Sequence, residues 1–276
     1  MNKRRNKIIL VTFSIAVTIA IVIVASIVRG SSVVGGLSVN VSTPDSVTIA
    51  NNDKTNIISS SEIEQLLLDE FPGLTSSRVK DVNTKKIERY LETNPYIESA
   101  RAALSVGGRI IVNVTARRPI VRVYYNNQCF FIDKHGNCFP ARRNGNINVI
   151  VANGCFRQHL PTTPDTLDIS AMANDTLHSS YDIVCVWKLA KYLDESTDRY
   201  SLLFDQIYLN CGGDLILQPK LGDYEIVVGD TSDLDDKFKR LKTFYAKGLP
   251  HAGYDSYSQV SLKYKGQVVC TKRKTN

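Results

Sequence analysis

The hydrophobic and polar positions of the chain divide it into one unbroken apolar stretch and a longer part with short periodic patterns. The apolar stretch, Ile8 to Val28, contains no charged residue. At a rise of about 1.5 Å per residue it is long enough to cross the roughly 30 Å hydrocarbon core of a membrane. We therefore predict a transmembrane helix over residues 8–28, preceded by a tail of residues 1–7.

The charges beside this stretch predict its orientation. Lys3, Arg4, Arg5 and Lys7 precede it, and the positive-inside rule places such a basic flank in the cytoplasm. We therefore expect a single-pass protein with a cytoplasmic N-terminus and its bulk on the other side of the membrane. The alternative is a cleaved signal peptide, whose apolar region usually spans about 7 to 15 residues. The greater length of the stretch favours an uncleaved anchor.

The next part of the chain carries strand and helix patterns in turn. Alternating apolar residues from Leu37 to Val41 predict a strand. Ser61 and Glu64 have the spacing of a capping box, which predicts a first helix with an apolar face, ended by Pro72-Gly73. Asn83 can cap a second helix.

A predicted hairpin completes this first region. Alternating residues run from Ala100 to Leu104 and from Ile110 to Val114, on either side of Gly107-Gly108. The resulting order over residues 37–118 is strand, helix, helix, strand, strand. This order predicts a small α+β layer in which two helices cover one face of a sheet.

Residues 119–276 are predicted to form a larger, mainly antiparallel β-domain. Two apolar stripes with helical spacing interrupt the strand pattern, one from Ile183 to Leu193 and one from Leu234 to Tyr245, the second ended by Gly248-Leu249-Pro250. The stretch Gln158 to Ser180, rich in Pro, Thr and Asp, is predicted to be an extended surface connection, and a polar insert, Asn51 to Asn56, lies in the first region.

The distribution of charge weakens a nucleic-acid function. The net charge is +7, but eight of the 34 lysines and arginines flank the apolar stretch or lie in the tail at residues 272–274. The remaining 26 are balanced by 27 acidic residues, so the body of the protein has no net basic character.

All six cysteines follow the predicted span, where an oxidising compartment would permit disulfides. A four-residue turn starting at Asp133 would place Phe131 opposite Cys138 and leave Cys129 unopposed by a cysteine. We therefore expect mostly free, buried thiols. Cys155 and His159 have a four-residue offset found in metal sites, but without a second ligand pair we predict no metal.

The common catalytic signatures are absent from the sequence. There is no G-x-S-x-G, H-E-x-x-H or G-x-x-x-x-G-K-[ST] motif. We therefore predict a binding protein rather than an enzyme, with no catalytic residues, no cofactor and no small-molecule substrate.

Three segments resemble the FtsQ/DivIB family of bacterial cell-division proteins. Ile87 to Val123 resembles the second helix and hairpin of that family's POTRA domain, running into a Pro-Ile-x-Arg junction at Pro119 to Arg122. Phe131 to Phe139 is similar to the [VI]-D-x-x-G-x-x-F hairpin that opens its β-domain, and Val260 to Cys270 is similar to its terminal strand pair. The order of these segments after one span strengthens the resemblance.

The resemblance implies a bitopic protein of the cytoplasmic membrane, concentrated at the division septum. Its expected partners are the paired FtsB/DivIC-like and FtsL-like proteins, and its expected role is to help control septal peptidoglycan synthesis. In this family the last strands bind the partner, and a strand at the end of a sheet can accept another chain's strand. The predicted partner-binding residues are Tyr264, Gln267, Val268, Val269, Cys270 and Thr271. The alternative is that Val268 and Cys270 only pack into the core.

The arginines near the domain junction admit two interpretations. Arg117, Arg118 and Arg122 surround Pro119 and could bind a carboxylate of another division protein. More often such side chains tie parts of one protein together or are solvated. Two other functions stay open for the whole chain: a POTRA-containing module of a secretion or assembly system, and a membrane-anchored hydrolase.

Overall fold

A computed structural model of the chain describes residues 14–24, 32–44, 57–142, 147–161, 167–253 and 256–273. Residues 14–24 of the predicted span are helical and exposed. Over these described ranges, no helix has the length and apolar character of a membrane span. The rest of residues 8–28, the tail 1–7 and the polar insert 51–56 lie outside the described residues.

The chain divides into two compact units, Met1–Ala116 and Arg117–Asn276. The first unit contains the predicted order of strand, helix, helix, strand, strand. Its elements are β1 (Leu37–Ser42), α1 (Ser60–Glu70), a 3₁₀ turn (Val79–Asp81), α2 (Thr84–Glu92), β2 (Ile97–Leu104) and β3 (Ile110–Ala116).

The three strands of the first unit form one sheet in the order β1-β3-β2. β1 is parallel to β3, and β2 pairs with β3 as the predicted antiparallel hairpin. α2 lies beside the outer strand β2, where the Glu88 carboxylate accepts a hydrogen bond of 2.9 Å from the Ala102 backbone N–H. This contact occupies one of the backbone donors that a strand at the end of a sheet would otherwise leave open.

The caps of the two helices were predicted with different success. Asn83 caps α2 as predicted, its side chain accepting from the Lys86 N–H at 3.1 Å. The cap of α1 is Ser59 and not Ser61, and the Ser59 hydroxyl accepts from the Glu62 N–H at 3.2 Å. Three consecutive serines offer the same cap chemistry, so the cap pattern alone does not select among them.

The second unit is built on a nine-stranded sheet. Its elements are β4 (Pro119–Tyr125), β5 (Gln128–Asp133), β6 (Cys138–Pro140), β7 (Ile150–Gly154), α3 (Ile169–Asn174), α4 (Asp182–Glu195), a 3₁₀ turn (Tyr200–Leu202), β8 (Phe204–Leu209), β9 (Leu215–Pro219), β10 (Glu225–Gly229), α5 (Leu234–Thr243), a π-helical turn (Phe244–Gly248), α6 (Leu249–Ala252), β11 (Tyr257–Ser261) and β12 (Val269–Lys272).

The order of strands in this sheet is β12-β11-β10-β9-β8-β7-β4-β5-β6. Five of the eight neighbouring pairs are antiparallel, and the pairs β4–β7, β7–β8 and β10–β11 are parallel. The domain is therefore a mixed sheet in which antiparallel pairs predominate. The apolar stripe of α4 packs on one sheet face, and its five predicted core residues, Ile183, Val186, Trp187, Ala190 and Leu193, are all buried.

The second unit contains more helices than the two predicted. α3 lies inside the stretch that we expected to be extended, with Asp168 as its N-cap. The helical path also continues beyond Gly248-Leu249-Pro250, because Pro250 occupies the first turn of α6, where its missing N–H costs nothing. The helix ends instead at Gly253, whose φ of +87° favours glycine.

The prediction of mostly free, buried thiols was correct in part. Cys129, Cys138, Cys185 and Cys270 are free while Cys155 and Cys211 form a disulfide, but of the four free thiols only Cys138 is buried. The hairpin register also differs by one residue, since Phe139 and not Cys138 faces Phe131. The buried Asp133 carboxylate accepts from the Asn137 N–H and thereby tightens the turn.

Candidate functional site

β12 lies at one end of the nine-stranded sheet and carries most of the residues predicted to bind a partner. It pairs with β11 on one side, through the register Gln259↔Thr271, Val260↔Cys270 and Ser261↔Val269. Among the strands that the structure describes, none lies on its other side. Of the predicted residues, Val269, Cys270 and Thr271 belong to this strand, and the others precede it in the connecting turn.

The direction of the backbone groups of β12 follows from its neighbours. The Leu262 N–H donates to the Val227 carbonyl of β10 at 2.8 Å. Because backbone groups alternate in direction along a strand, Ser261 directs its N–H and C=O towards β12, where it is paired with Val269. The next residue, Cys270, therefore directs its backbone N–H and C=O away from β11. These two groups form the open centre of the sheet edge.

The side chains of β12 divide between the two sheet faces. Cys270 and the preceding Val268 pack against the hydrophobic core, as in the alternative interpretation, and burial raises the pKa of the Cys270 thiol. Val269, which is 41% exposed, and Thr271 lie on the opposite face. The inward packing of Cys270 fixes the strand to the domain and leaves the outer face and the backbone edge available.

The turn between β11 and β12 is held by a residue that the sequence did not single out. Arg240 of α5 donates to the backbone carbonyls of Leu262 at 3.1 Å and Tyr264 at 3.0 Å, and also to that of Gln267. The Tyr264 side chain is 53% exposed beside these contacts. Arg240 therefore fixes the turn that presents Tyr264 and leads into the edge strand.

Two ion pairs flank the same hairpin. The Lys263 ammonium donates to the Asp214 carboxylate at 2.8 Å, and this hydrogen bond raises the pKa of Lys263. At the other end of β12, Arg273 donates to the Asp223 carboxylate at 2.7 Å. Of the basic tail, Arg273 thus has an acidic partner within its own unit, and Lys274 lies outside the described residues.

The junction arginines have partners within the second unit. Arg117 donates to the buried Asp133 carboxylate at 2.6 Å, and Arg118 to Asp194 at 3.0 Å. The Arg122 guanidinium lies 5.1 Å from the centre of the Phe131 ring and donates to a backbone carbonyl. Binding of another protein's carboxylate by these residues stays a prediction.

A cavity of about 440 Å³ lies where the end of α4 meets α5. Burial, followed by a hydrogen bond to Asp198, raises the pKa of Tyr200 to about 12. The hydrogen bond from Lys242 lowers the pKa of Asp198. Acid–base catalysis near neutral pH is most efficient with groups whose pKa lies near that pH, and these shifts move both groups away from it.

The cysteine and histidine offset considered for zinc does not form a metal site. Cys155 is bonded to Cys211, so its sulfur is not available as a thiolate ligand. Across the described ranges, no group of three or more histidine, cysteine or acidic residues has a metal-binding arrangement.

Comparison with known protein families matches both units. A family model described as POTRA-like domain matches residues 41–115. A second, described as FtsQ/DivIB, C-terminal related, matches residues 118–271, more than half of the chain. No curated protein sequence matched the chain significantly. With a POTRA-like domain followed by the sheet that ends at β12, the chain belongs to the FtsQ/DivIB C-terminal-related family of cell-division proteins.

Proposed function

We propose that the chain is a bitopic division protein that binds FtsB/DivIC-like and FtsL-like proteins through the edge of β12 and thereby helps control septal peptidoglycan synthesis. The observation that carries this proposal is the open backbone at Cys270, at the end of a sheet whose inner side is already packed. A partner segment can add there as a further strand, with main-chain hydrogen bonds supplying affinity.

The proposed location is the cytoplasmic membrane, with residues 8–28 as the anchor and the two units outside the cytoplasm. The uninterrupted apolar stretch supports the anchor. The Cys155–Cys211 disulfide supports the location of the second unit, because such bonds persist mainly in oxidising compartments. The function we propose is binding without catalysis, consistent with the shifted pKa values of Tyr200 and Asp198 beside the polar cavity between α4 and α5.

A proline substitution at Cys270 tests the edge directly. Cys270→Pro removes the outward N–H at the centre of the edge strand and leaves the backbone bonds of Val269 and Thr271 to β11 intact. Cys270→Val is the matched control, because it keeps the N–H and the inward apolar side chain. Val269→Pro would be a poorer test, since that N–H faces β11.

The measurement is co-purification of the full chain with the FtsB/DivIC-like and FtsL-like proteins of the same organism, expressed together in membranes. We expect Cys270→Pro to reduce capture about tenfold or more, from lost main-chain hydrogen bonds and steric conflict with the added strand. Cys270→Val should bind like the native chain. Equal capture by all three, with unchanged thermal unfolding, would contradict binding at this edge.

Localisation tests the wider role. A fluorescent protein fused to the cytoplasmic N-terminus should gather at midcell in dividing bacteria. Uniform fluorescence over the envelope would favour the secretion or assembly alternative suggested by the POTRA-like domain.

A further inference from the structure

The segment that follows the apolar stretch is bonded to the first unit from Ser32 onward. The Val79 N–H donates to the Ser32 carbonyl at 2.9 Å, and the Val34 N–H donates to the Ser77 carbonyl at 2.9 Å. Between these two bonds, Val33 forms a β-bridge with the same segment of the unit. Folded structure in the first unit therefore begins no later than Ser32.

The chain between the apolar stretch and this fixed point is short. Ser32 is four positions after Val28, the last residue of the stretch. An extended chain covers at most about 3.6 Å per residue, so Ser32 lies within about 14 Å of the hydrocarbon edge when residues 8–28 span a membrane. The headgroup layer itself is about 5–8 Å thick on each side. This end of the first unit is thus confined to within about 10 Å of the headgroup surface.

The turn between β2 and β3, Ser105–Arg109, lies at this same end. The Gly35 N–H donates to the Gly108 carbonyl at 3.1 Å, which joins the turn to the segment after the anchor. Val106 at the tip is 84% exposed, the highest value among the large apolar side chains of the described part of the chain, and Val33 is 59% exposed. Turn tips usually carry Gly, Asn, Asp or Ser, so valine there is unusual.

Two arginines adjoin these exposed valines. Arg109 is the last residue of the turn, and Arg78 forms the β-bridge with Val33. Both arginines are exposed. Lys80 and Asp81, in the 3₁₀ turn that follows Arg78, balance each other in charge. The end of the unit nearest the anchor therefore combines exposed apolar side chains with net positive charge.

We propose that this end of the first unit binds the surface of a membrane that contains anionic phospholipid. Val106 enters the headgroup layer with Val33 beside it, and Arg78 and Arg109 bind lipid phosphates, whose geometry matches the planar guanidinium. The inference rests on the anchor in the proposed function and goes beyond it, because it assigns lipid contact to the folded unit itself.

The anchor makes a weak contact sufficient. Each arginine near an anionic surface strengthens binding about five-fold, and this effect falls off within a Debye length of about 10 Å. Two arginines and two valines would hold a free domain only weakly. Attachment through residues 29–31 makes the contact intramolecular, so the unit is present at a high effective concentration beside the lipid. Such a contact would fix the orientation of the sheet relative to the membrane, which the connection alone does not.

Tryptophan fluorescence of the full chain in vesicles tests the contact. The chain has one tryptophan, Trp187, which is buried in the second unit. Val106→Trp adds an indole at the turn. Glu92→Trp, at the exposed end of α2, is the matched control, because β2, eight residues and about 26 Å long, lies between the two sites. The vesicles contain phosphatidylglycerol and phosphatidylcholine with brominated acyl chains, which quench indoles that reach them.

We expect Val106→Trp to lose about half of its total emission, because one of its two indoles lies at the boundary of headgroups and acyl chains. Glu92→Trp should retain its emission. Adding Arg78→Gln and Arg109→Gln to Val106→Trp should restore most of the lost emission, and so should vesicles of phosphatidylcholine alone.

Alkaline extraction of the same vesicles separates this inference from the proposed anchor. If the chain resists extraction but Val106→Trp is quenched no more than Glu92→Trp, the anchor stands and the lipid contact is overturned. Quenching that is unchanged by the arginine substitutions and by neutral lipid would show that the added indole inserts by itself, which also overturns the contact. If carbonate extracts the chain, the anchor fails and this inference fails with it.

Discussion

At the scale of single residues, Arg240 holds the turn of the candidate site. Its side chain is 14% exposed, and it joins the Asp236 carboxylate, at 2.8 Å, to three carbonyls of the turn between β11 and β12. The planar guanidinium can serve these acceptors together because its donors point in fixed directions. In the sequence, Arg240 is one cation among several on α5, and the periodicity that predicts the helix does not show which distant carbonyls it reaches.

We predict that Arg240→Ala loosens the hairpin without unfolding the domain. Hydrogen bonds from a charged donor contribute about 1.5–3 kcal/mol, so amide exchange at residues 262–272 should accelerate by one to two orders of magnitude. Partner capture should fall with it, and Arg240→Lys should restore part of both. Lys239→Ala, an exposed change on the same helix, serves as the control. Uniform acceleration throughout the second unit would instead indicate global destabilisation.

At the scale of elements, local patterns predicted most strands and helices but not which distant strands pair with one another. The resemblance that predicts the terminal strand pair lies within one short segment, Val260 to Cys270, so the candidate edge could be located before the fold was known. The parallel pair β7–β8 joins residues more than fifty positions apart, and its register brings Gly154 beside Leu209. That register places Cys155 next to the strand end that precedes Cys211. No pattern within either strand contains this information, which is why the disulfide was missed.

The disulfide should stabilise the second unit measurably. Its sequence separation of 56 corresponds to a reduction of chain entropy in the unfolded state equivalent to about 4 kcal/mol. We expect the Cys155→Ala and Cys211→Ala double variant to lose about 2–4 kcal/mol of unfolding free energy in denaturant titration. Cys185→Ala, which removes a free thiol, is the comparison. Alkylation of unfolded, unreduced protein should modify four thiols; six would show that the bond does not form.

At the scale of the whole molecule, the sequence predicted the order of the parts better than their internal detail. The succession of a three-stranded α+β unit and a larger sheet follows from the change in periodicity near Pro119, and the family matches agree with that order. The additional helices α3 and α6 were missed because each is a short helix beside polar or proline-containing sequence. Short helices depend on tertiary packing more than on their own propensity.

The N-terminus of the mature protein tests the anchor. We predict that sequencing the chain purified from membranes will yield Met1 or Asn2, because the apolar stretch exceeds the usual length of a signal-peptide core. Extraction should require detergent and should resist alkaline carbonate. A mature start near Ser31 would show that the stretch is removed, and the protein would then need another means of membrane attachment.

The strand order of the large sheet has a consequence for the order in which its strands pair during folding. The strands β8 to β12 have the same order in the sheet as in the chain. They extend to one side of the central parallel strands β4, β7 and β8. Non-local parallel pairings form slowly, because long segments must be ordered before the strands meet. The β11–β12 hairpin is local, but it joins the sheet through the parallel pair β10–β11, so we expect β12 to take its place at the sheet edge only once that slower pairing has formed. A partner that recognises β12 would then bind folded domains and not partly folded ones, so recruitment would also select for folded protein.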